Sequence, residues 1–228
     1  MWLLHSSIGR KLVMSITGTG LILFLLFHLT MNLTAVFSAD AYNTICSLLG
    51  SNWYAVAATI ALGALIFLHF AYSVMITLQN RKARGNDRYA VNIRPKGVAW
   101  ASQNMLVLGL VVFGFLVLHF SQFWYKMMFA ELIGHHTVSL NGNMVSTQDG
   151  HAFISYYFSQ LWVVVAYLAW YVALWFHLTH GIWSAFQSIG WNNHVWMNRL
   201  KCFSNIVATL ILLGFTFVTI TFYVRSII

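Results

Sequence analysis

Residues 157–187 read YFSQLWVVVAYLAWYVALWFHLTHGIWSAFQ. No Asp, Glu, Lys or Arg interrupts this run, and it exceeds the ~20 residues that a helix needs to cross about 30 Å of hydrocarbon. A backbone of this length inside lipid must be helical, because no water is there to satisfy its N–H and C=O groups. Its two imidazoles, His177 and His180, are costly in such a place unless something holds them.

Four further runs of the same kind lie outward from it, at roughly 12–37, 53–80, 98–127 and 203–224, by the same ~20-residue criterion. The expectation is an all-α integral membrane protein, a bundle of five transmembrane helices forming one domain over residues 1–228. Composition agrees: 60% of the 228 residues are hydrophobic and only 7% charged, with one proline. A soluble domain carries about a quarter charged residues, so this chain lacks the polar surface to face water. The aromatic share of 17% suits belts at two membrane interfaces. Cys46 and Cys202 fall near opposite faces, which excludes a disulfide between them and a cysteine-based metal site. The first run follows Arg10 and Lys11 without a small-residue cleavage pattern behind it, and is read as a retained span.

The net charge of +8 invites a nucleic-acid reading, but the charges sit between the apolar runs. Arg10 and Lys11 precede the first. Arg81, Lys82, Arg84, Arg88, Arg94 and Lys96 lie between the second and third, and Arg199 and Lys201 between the fourth and fifth. The other two connections hold Asp40, Glu131 and Asp149, with Lys126 as their only basic residue. By the positive-inside rule the N-terminus is cytoplasmic and the C-terminus is on the outer face of a cell inner membrane, crossed several times. The stretch Arg81–Lys96 is either a topology signal alone or also a docking surface for a cytoplasmic partner. The outer connection, 128–156, is long and polar enough for a short helix or hairpin.

Four of the five spans carry a histidine in their apolar interior: His28, His69, His119 and His177. No carboxylate, lysine or arginine lies deep beside them to form a proton relay, and a neutral imidazole without a charged neighbour suits a metal ion. Counted from the cytoplasmic flank, His28 lies roughly 27 Å from Arg10 and His119 about 34 Å from Lys96. On the antiparallel helices His69 is about 18 Å from Arg81 and His177 about 17 Å from Ser188. The four therefore form an outer pair, His28 with His119, and an inner pair, His69 with His177. Two imidazoles at one depth on separate helices are able to hold one haem iron from both sides, a ligation without an open position that suits electron transfer. His180, one turn beyond His177, competes for the ligand role. Gly18, Gly20, Gly63, Gly109, Gly114 and Gly181 near the histidines admit a flat macrocycle or simply close helix packing. His5, His135, His136, His151 and His194 fall in tails or loops and are read as solvated.

The ordered set resembles the cytochrome b membrane-anchor subunit of succinate dehydrogenases and fumarate reductases, in its five-helix, two-haem form. The carriers are Ser15-Ile16-Thr17-Gly18 before His28, then Ile66-Phe67-Leu68-His69, Val117-Leu118-His119, and Phe176-His177-Leu178-Thr179-His180-Gly181-Ile182-Trp183. The last is the most specific, a His-x-x-x-Gly-hydrophobic-aromatic run on the fourth helix, and it implies His177 rather than His180 as ligand.

The resemblance implies two haem b groups, the inner held by His69 and His177 and the outer by His28 and His119. It implies a flavoprotein subunit and an iron–sulfur subunit on the cytoplasmic side, and electron exchange with a membrane quinone, menaquinone favoured over ubiquinone. By analogy Ser15, Arg10 and Lys11 are candidates for haem propionates, although the positive-inside signal explains the two basic residues equally. Asn32, Thr34 and Asp40 are candidates for the quinone site, with an interhelical hydrogen bond as the plainer role of Asn32. Some relatives carry a glutamate just before the fourth-helix ligand, associated with a proton route. Here the residues are Leu174-Trp175-Phe176, so that route has no support. The rival readings are the cytochrome b subunit of another quinone-linked oxidoreductase, such as a hydrogenase or formate dehydrogenase, and a histidine-based metal or proton transporter.

Overall fold

The structure is a computed structural model that describes residues 6–84, 100–191 and 193–228. Arg88, Arg94 and Lys96, the first two residues of the expected third span, and His5 lie outside the described residues, as does the side chain of His194.

Five long apolar helices form the body. The first, α1, is Ser7–Phe37, and its N-terminus is closed by Ser6, whose Oγ accepts from the N–H of Gly9. A short helix α2, Ala39–Leu48, follows directly, with Ser38 as its N-cap and Asp40 in its first turn, where a negative charge complements the exposed N–H groups. Helix α3 is Trp53–Arg84. After the single turn α4, Trp100–Gln103, the third membrane helix runs through three segments: α5, Met105–His119, a widened π-helical stretch π1, Phe120–Phe129, and α6, Ala130–Leu132. Helix α8 is Leu161–Ser188 and α9 is His194–Ile227.

The boundaries depart from the apolar runs for local reasons. The fourth span starts at Leu161 rather than 157, because Gln160 is extended (φ −93°, ψ 113°) and separates it from a distinct helix α7, Gly150–Phe158. The third membrane helix starts at Met105 rather than 98 and continues past 127 to Leu132. Lys126 thus lies inside it and sits over the Tyr157 ring at 5.7 Å, a cation held at the helix end by an aromatic face. Helix α9 begins nine residues before the apolar run at 203, its N-cap Asn193 accepting from the N–H of Trp196.

The connection before α7 contains both a hairpin and a helix. Strands β1, Thr137–Leu140, and β2, Asn143–Ser146, pair antiparallel across Asn141 and Gly142, both at positive φ (51° and 86°), the twist that a two-residue hairpin demands. This hairpin, α2 and α7 form a cap at the end of the bundle where α1 finishes. Asn43 ties it together: its Nδ2 donates to Asp149 Oδ1 (2.8 Å) and its Oδ1 accepts from the N–H of His151 (2.9 Å). Gln148 Nε2 donates to Glu131 Oε1 (2.7 Å), and Arg225 Nη2 to the Val36 carbonyl (2.9 Å).

Helices α8 and α9 pack along each other and carry most of the core, which runs from Phe153 and Tyr157 on α7 through Tyr167, Tyr171 and Leu174 to Ile182. Helix α1 packs against α3, α8 and α9, and α5 against α8 and, lightly, α3. The helices α1, α3, α5 and α8 therefore form a four-helix ring whose diagonals, α1 to α5 and α3 to α8, are at most slightly in backbone contact. Outward faces are apolar, with Leu23, Ile60, Phe67, Val111, Val165, Val172 and Leu213 exposed. Such a surface belongs against lipid.

Candidate functional site: two histidine couples on the bundle diagonals

Each diagonal of the ring carries one histidine couple. His28 on α1 meets His119 at the end of α5, ring centroids 5.8 Å apart and edge to face. His69 on α3 meets His177 on α8, centroids 6.3 Å apart and 68° between planes. These are the four interior histidines that depth along the sequence pairs together.

Hydrogen bonds locate the two levels. Thr17 Oγ1 is 3.2 Å from His69 Nδ1, so the inner couple lies level with Thr17, eleven residues before His28 on the same helix. At 1.5 Å per residue the levels are about 16 Å apart. On α8, Tyr167 touches His119 Nδ1 (3.3 Å) and His177 follows ten residues later, which gives about 15 Å. Two helices with no shared residue agree.

Two glycines lie against the inner rings, and only at Gly18 would an added side chain be tight. A Cβ on Gly18 would come within 3.3 Å of His69 Cε1, and one on Gly109 within 3.6 Å of His177 Cε1. The outer level is enclosed by aromatic rings instead. His28 stacks on Phe24 (5.3 Å) and faces Phe215 (5.8 Å), while His119 is packed by Phe123 (5.2 Å), Trp170 (5.8 Å) and Tyr167 (6.2 Å).

The side chains behind the histidines differ. Thr17 donates its only hydroxyl hydrogen to carbonyls of its own helix, Val13 (2.8 Å) and Met14 (3.2 Å), so it presents a lone pair to His69. Tyr167 donates to Gln122 Oε1 (2.7 Å) and likewise presents a lone pair to His119. His177 Nδ1 is buried and has no hydrogen-bond partner among the described residues. His28 has the Asn32 amide Nδ2 at 3.4 Å from both ring nitrogens; Tyr42 donates to the same amide's oxygen (3.2 Å). Thr17 belongs to the motif that carries the resemblance, but Tyr167, Gln122 and Tyr42 were not singled out in the sequence. A buried tyrosine among many apolar-span tyrosines carries no signal of its own.

His180 does not join a couple. Its ring lies edge-on to Trp183 at 4.7 Å, with Nδ1 buried and unpartnered. Ser15 is buried and donates to the Ala185 carbonyl (2.6 Å), joining α1 to α8 just below the inner couple, so toward any other group it offers only lone pairs. Arg10 Nε donates to the Ser6 carbonyl (3.3 Å), and Lys11 is exposed one residue on. The quinone candidates do not converge: Asn32 lies against His28, Thr34 donates back to the Met31 carbonyl (2.6 Å), and Asp40 is exposed on α2. His135 and His136 are exposed, whereas His151, read from its loop position as solvated, is half-buried against Phe222 (5.2 Å). It follows Gly150 into α7 and is drawn into the cap by Asn43.

Chemically, each couple brings two imidazoles from separate helices together, two potential nitrogen donors. No three His, Cys, Asp or Glu side chains converge among the described residues. A structural zinc site takes three or four protein donors, and these couples have two. A metal bonded to two opposed imidazole nitrogens at about 2 Å each holds ring centroids roughly 6 Å apart, the separation found at both levels. No family model, curated protein or solved structure matches the chain.

Proposed function

We propose that the chain is the membrane-anchor cytochrome b subunit of a succinate:quinone oxidoreductase, a succinate dehydrogenase or fumarate reductase of the respiratory complex II kind. It carries electrons between an iron–sulfur subunit and a membrane quinone through two bis-histidine haems b. The reading is supported above all by one observation: two imidazole couples, on the two diagonals of a four-helix ring, at levels about 15 Å apart.

The residues fit the group. A haem iron would need two nitrogen ligands from the protein, and each couple has two imidazoles to offer. The buried Nδ1 of His177 and the glycines beside the inner rings leave those imidazoles free to face an iron and a flat ring. Haem iron so held exchanges one electron and has no open position for oxygen or substrate. His28 and His119 hold the outer haem, and His69 and His177 the inner one. The aromatic shell around the outer couple and the apolar core of α8 and α9 exclude water, which tunes potential through burial.

The inner haem takes the side of Arg10, Lys11 and Arg81, which the charge distribution places in the cytoplasm of a cell with its inner membrane around it. The flavoprotein and iron–sulfur subunits dock on that face, and the quinone, menaquinone by preference, exchanges electrons near the outer couple. The residues before His177 on α8 are Leu174, Trp175 and Phe176, without the carboxylate that some relatives carry there.

The test is an absorption spectrum of the purified, dithionite-reduced protein. A b-type alpha band with two haems per chain is expected; a folded, colourless protein ends the reading. Co-purification of a flavin-bearing and an iron–sulfur subunit then separates this complex from a hydrogenase or formate dehydrogenase, whose soluble partners differ.

A further inference from the structure

Each couple contains one imidazole backed by a hydroxyl oxygen and one that is not. Behind His69 stands Thr17, and behind His119 stands Tyr167. In both cases the hydroxyl hydrogen is committed elsewhere, to the Val13 carbonyl at 2.8 Å and to Gln122 Oε1 at 2.7 Å. An oxygen that has given its hydrogen away can only accept. The Nδ1 of each histidine must therefore be the N–H, and its Nε2 carries the lone pair. Thr17, Tyr167 and Gln122 are all buried, at 3%, 3% and 5% exposure, so water does not substitute for these contacts. The opposite members lack such support: His177 Nδ1 has no partner among the described residues, and His28 faces an amide nitrogen of Asn32.

We propose that Thr17 and Tyr167 are positioning residues that accept the Nδ1 hydrogens of His69 and His119, hold those rings with Nε2 bare, and strengthen Nε2 as an electron donor to haem iron. This rests on the haem reading above. Gln122, carried by the widened π1 stretch immediately after His119, serves by orienting the Tyr167 hydroxyl. A stronger nitrogen donor stabilises the oxidised iron, so removing the acceptor raises the reduction potential of the haem concerned.

The experiment uses the full chain, purified with its haems, as wild type and as Thr17→Val, Thr17→Ser and Tyr167→Phe. Haem is counted by pyridine haemochrome and each midpoint is read by redox titration of the alpha band. Thr17→Val and Tyr167→Phe are expected to keep two haems and each to raise the midpoint of one, while Thr17→Ser restores the wild-type value. Added to His28→Ala, which leaves the inner haem, Thr17→Val still shifts the remaining midpoint; added to His69→Ala, Tyr167→Phe does the same for the outer one. Two haems with unmoved midpoints in both variants, or a Thr17→Ser shift equal to that of Thr17→Val, overturns the inference and leaves the functional reading standing. A wild-type chain that takes up no haem removes both. Should Tyr167→Phe fail to assemble, the Thr17 pair decides alone, by the same two outcomes.

Discussion

His177 and His180 are one helical turn apart on α8, and the difference between them is decided by what each ring meets. His177 is opposed by His69 across a diagonal, whereas His180 packs edge-on against Trp183. Haem content of single variants converts that difference into a measurement. His69→Ala or His177→Ala is expected to remove one haem, His28→Ala or His119→Ala the other, and His180→Ala neither. A pyridine haemochrome value halved by His180→Ala would show that the wrong imidazole has been assigned. The two cysteines provide a second contrast at this scale. Burial beside Tyr42 and Gly150 pushes the Cys46 thiol up to about 11, while Cys202 is exposed on α9. An acid whose pKa is raised is less ionised at a given pH, so at pH 8 only about one in a thousand Cys46 side chains is thiolate. Maleimide labelling at pH 8, followed by mass spectrometry, should therefore modify Cys202 first and Cys46 slowly, with the Cys46 rate rising steadily toward pH 10.

Among the elements, the cap adds a set of polar ties to the apolar packing of Leu140, Phe153 and Ile154. Asp149 performs two tasks with one oxygen: Oδ1 accepts from the N–H of Ala152 to close the start of α7, and from Asn43 Nδ2 to tie α7 to α2. Replacing it with alanine removes a helix cap and a charge-assisted hydrogen bond together, at a cost of about 2 kcal/mol. Asp149→Ala should lower the thermal midpoint of the purified protein in detergent while leaving the inner couple and its ligand set untouched, since that couple lies on long helices at the other end of the bundle. Equal loss of both couples' haem on Asp149→Ala would mean the cap is needed for the bundle itself. The third membrane helix behaves differently from the other four. It widens at Phe120, directly after His119, and through that turn presents Gln122 inward to Tyr167. π-helical turns recur at functional positions because they re-aim a side chain without ending the helix.

For the whole molecule, the orientation expected from the charge distribution is open to direct measurement. Ser188 at the end of α8 lies on the side of Arg10 and Arg81, and Met144 on the hairpin lies on the other; both are exposed. With Cys46 and Cys202 replaced by serine, a cysteine at Met144 should react with an impermeant maleimide in intact cells stripped of any outer barrier. A cysteine at Ser188 should react only after the membrane is opened. The reverse pattern would invert the expected orientation of the bundle. The α1–α3–α5–α8 ring also explains why α9 carries no interior histidine: it lies outside the ring, buttressing α1 and α8, with polar contacts such as Trp175 Nε1 to Thr209 Oγ1 (3.0 Å) and Tyr171 to Thr219 (2.9 Å) in place of a ligand.

The five spans, their helical state and the matching depths of four histidines were legible in the sequence, because each follows from a one-dimensional quantity: the length of an apolar run, the absence of water in lipid, a fixed rise per residue. Where a span broke was less legible. The separation of α7 from α8 at Gln160 and the widening after His119 depend on contacts between helices rather than on composition. The side chains behind the imidazole nitrogens were decided by tertiary structure alone. Thr17 and His69 are 52 residues apart and His119 and Tyr167 are 48 apart, so nothing local to either member of a pair announces the other. Only the packing of antiparallel helices brings a committed hydroxyl to one imidazole of each couple and leaves the opposite one without it.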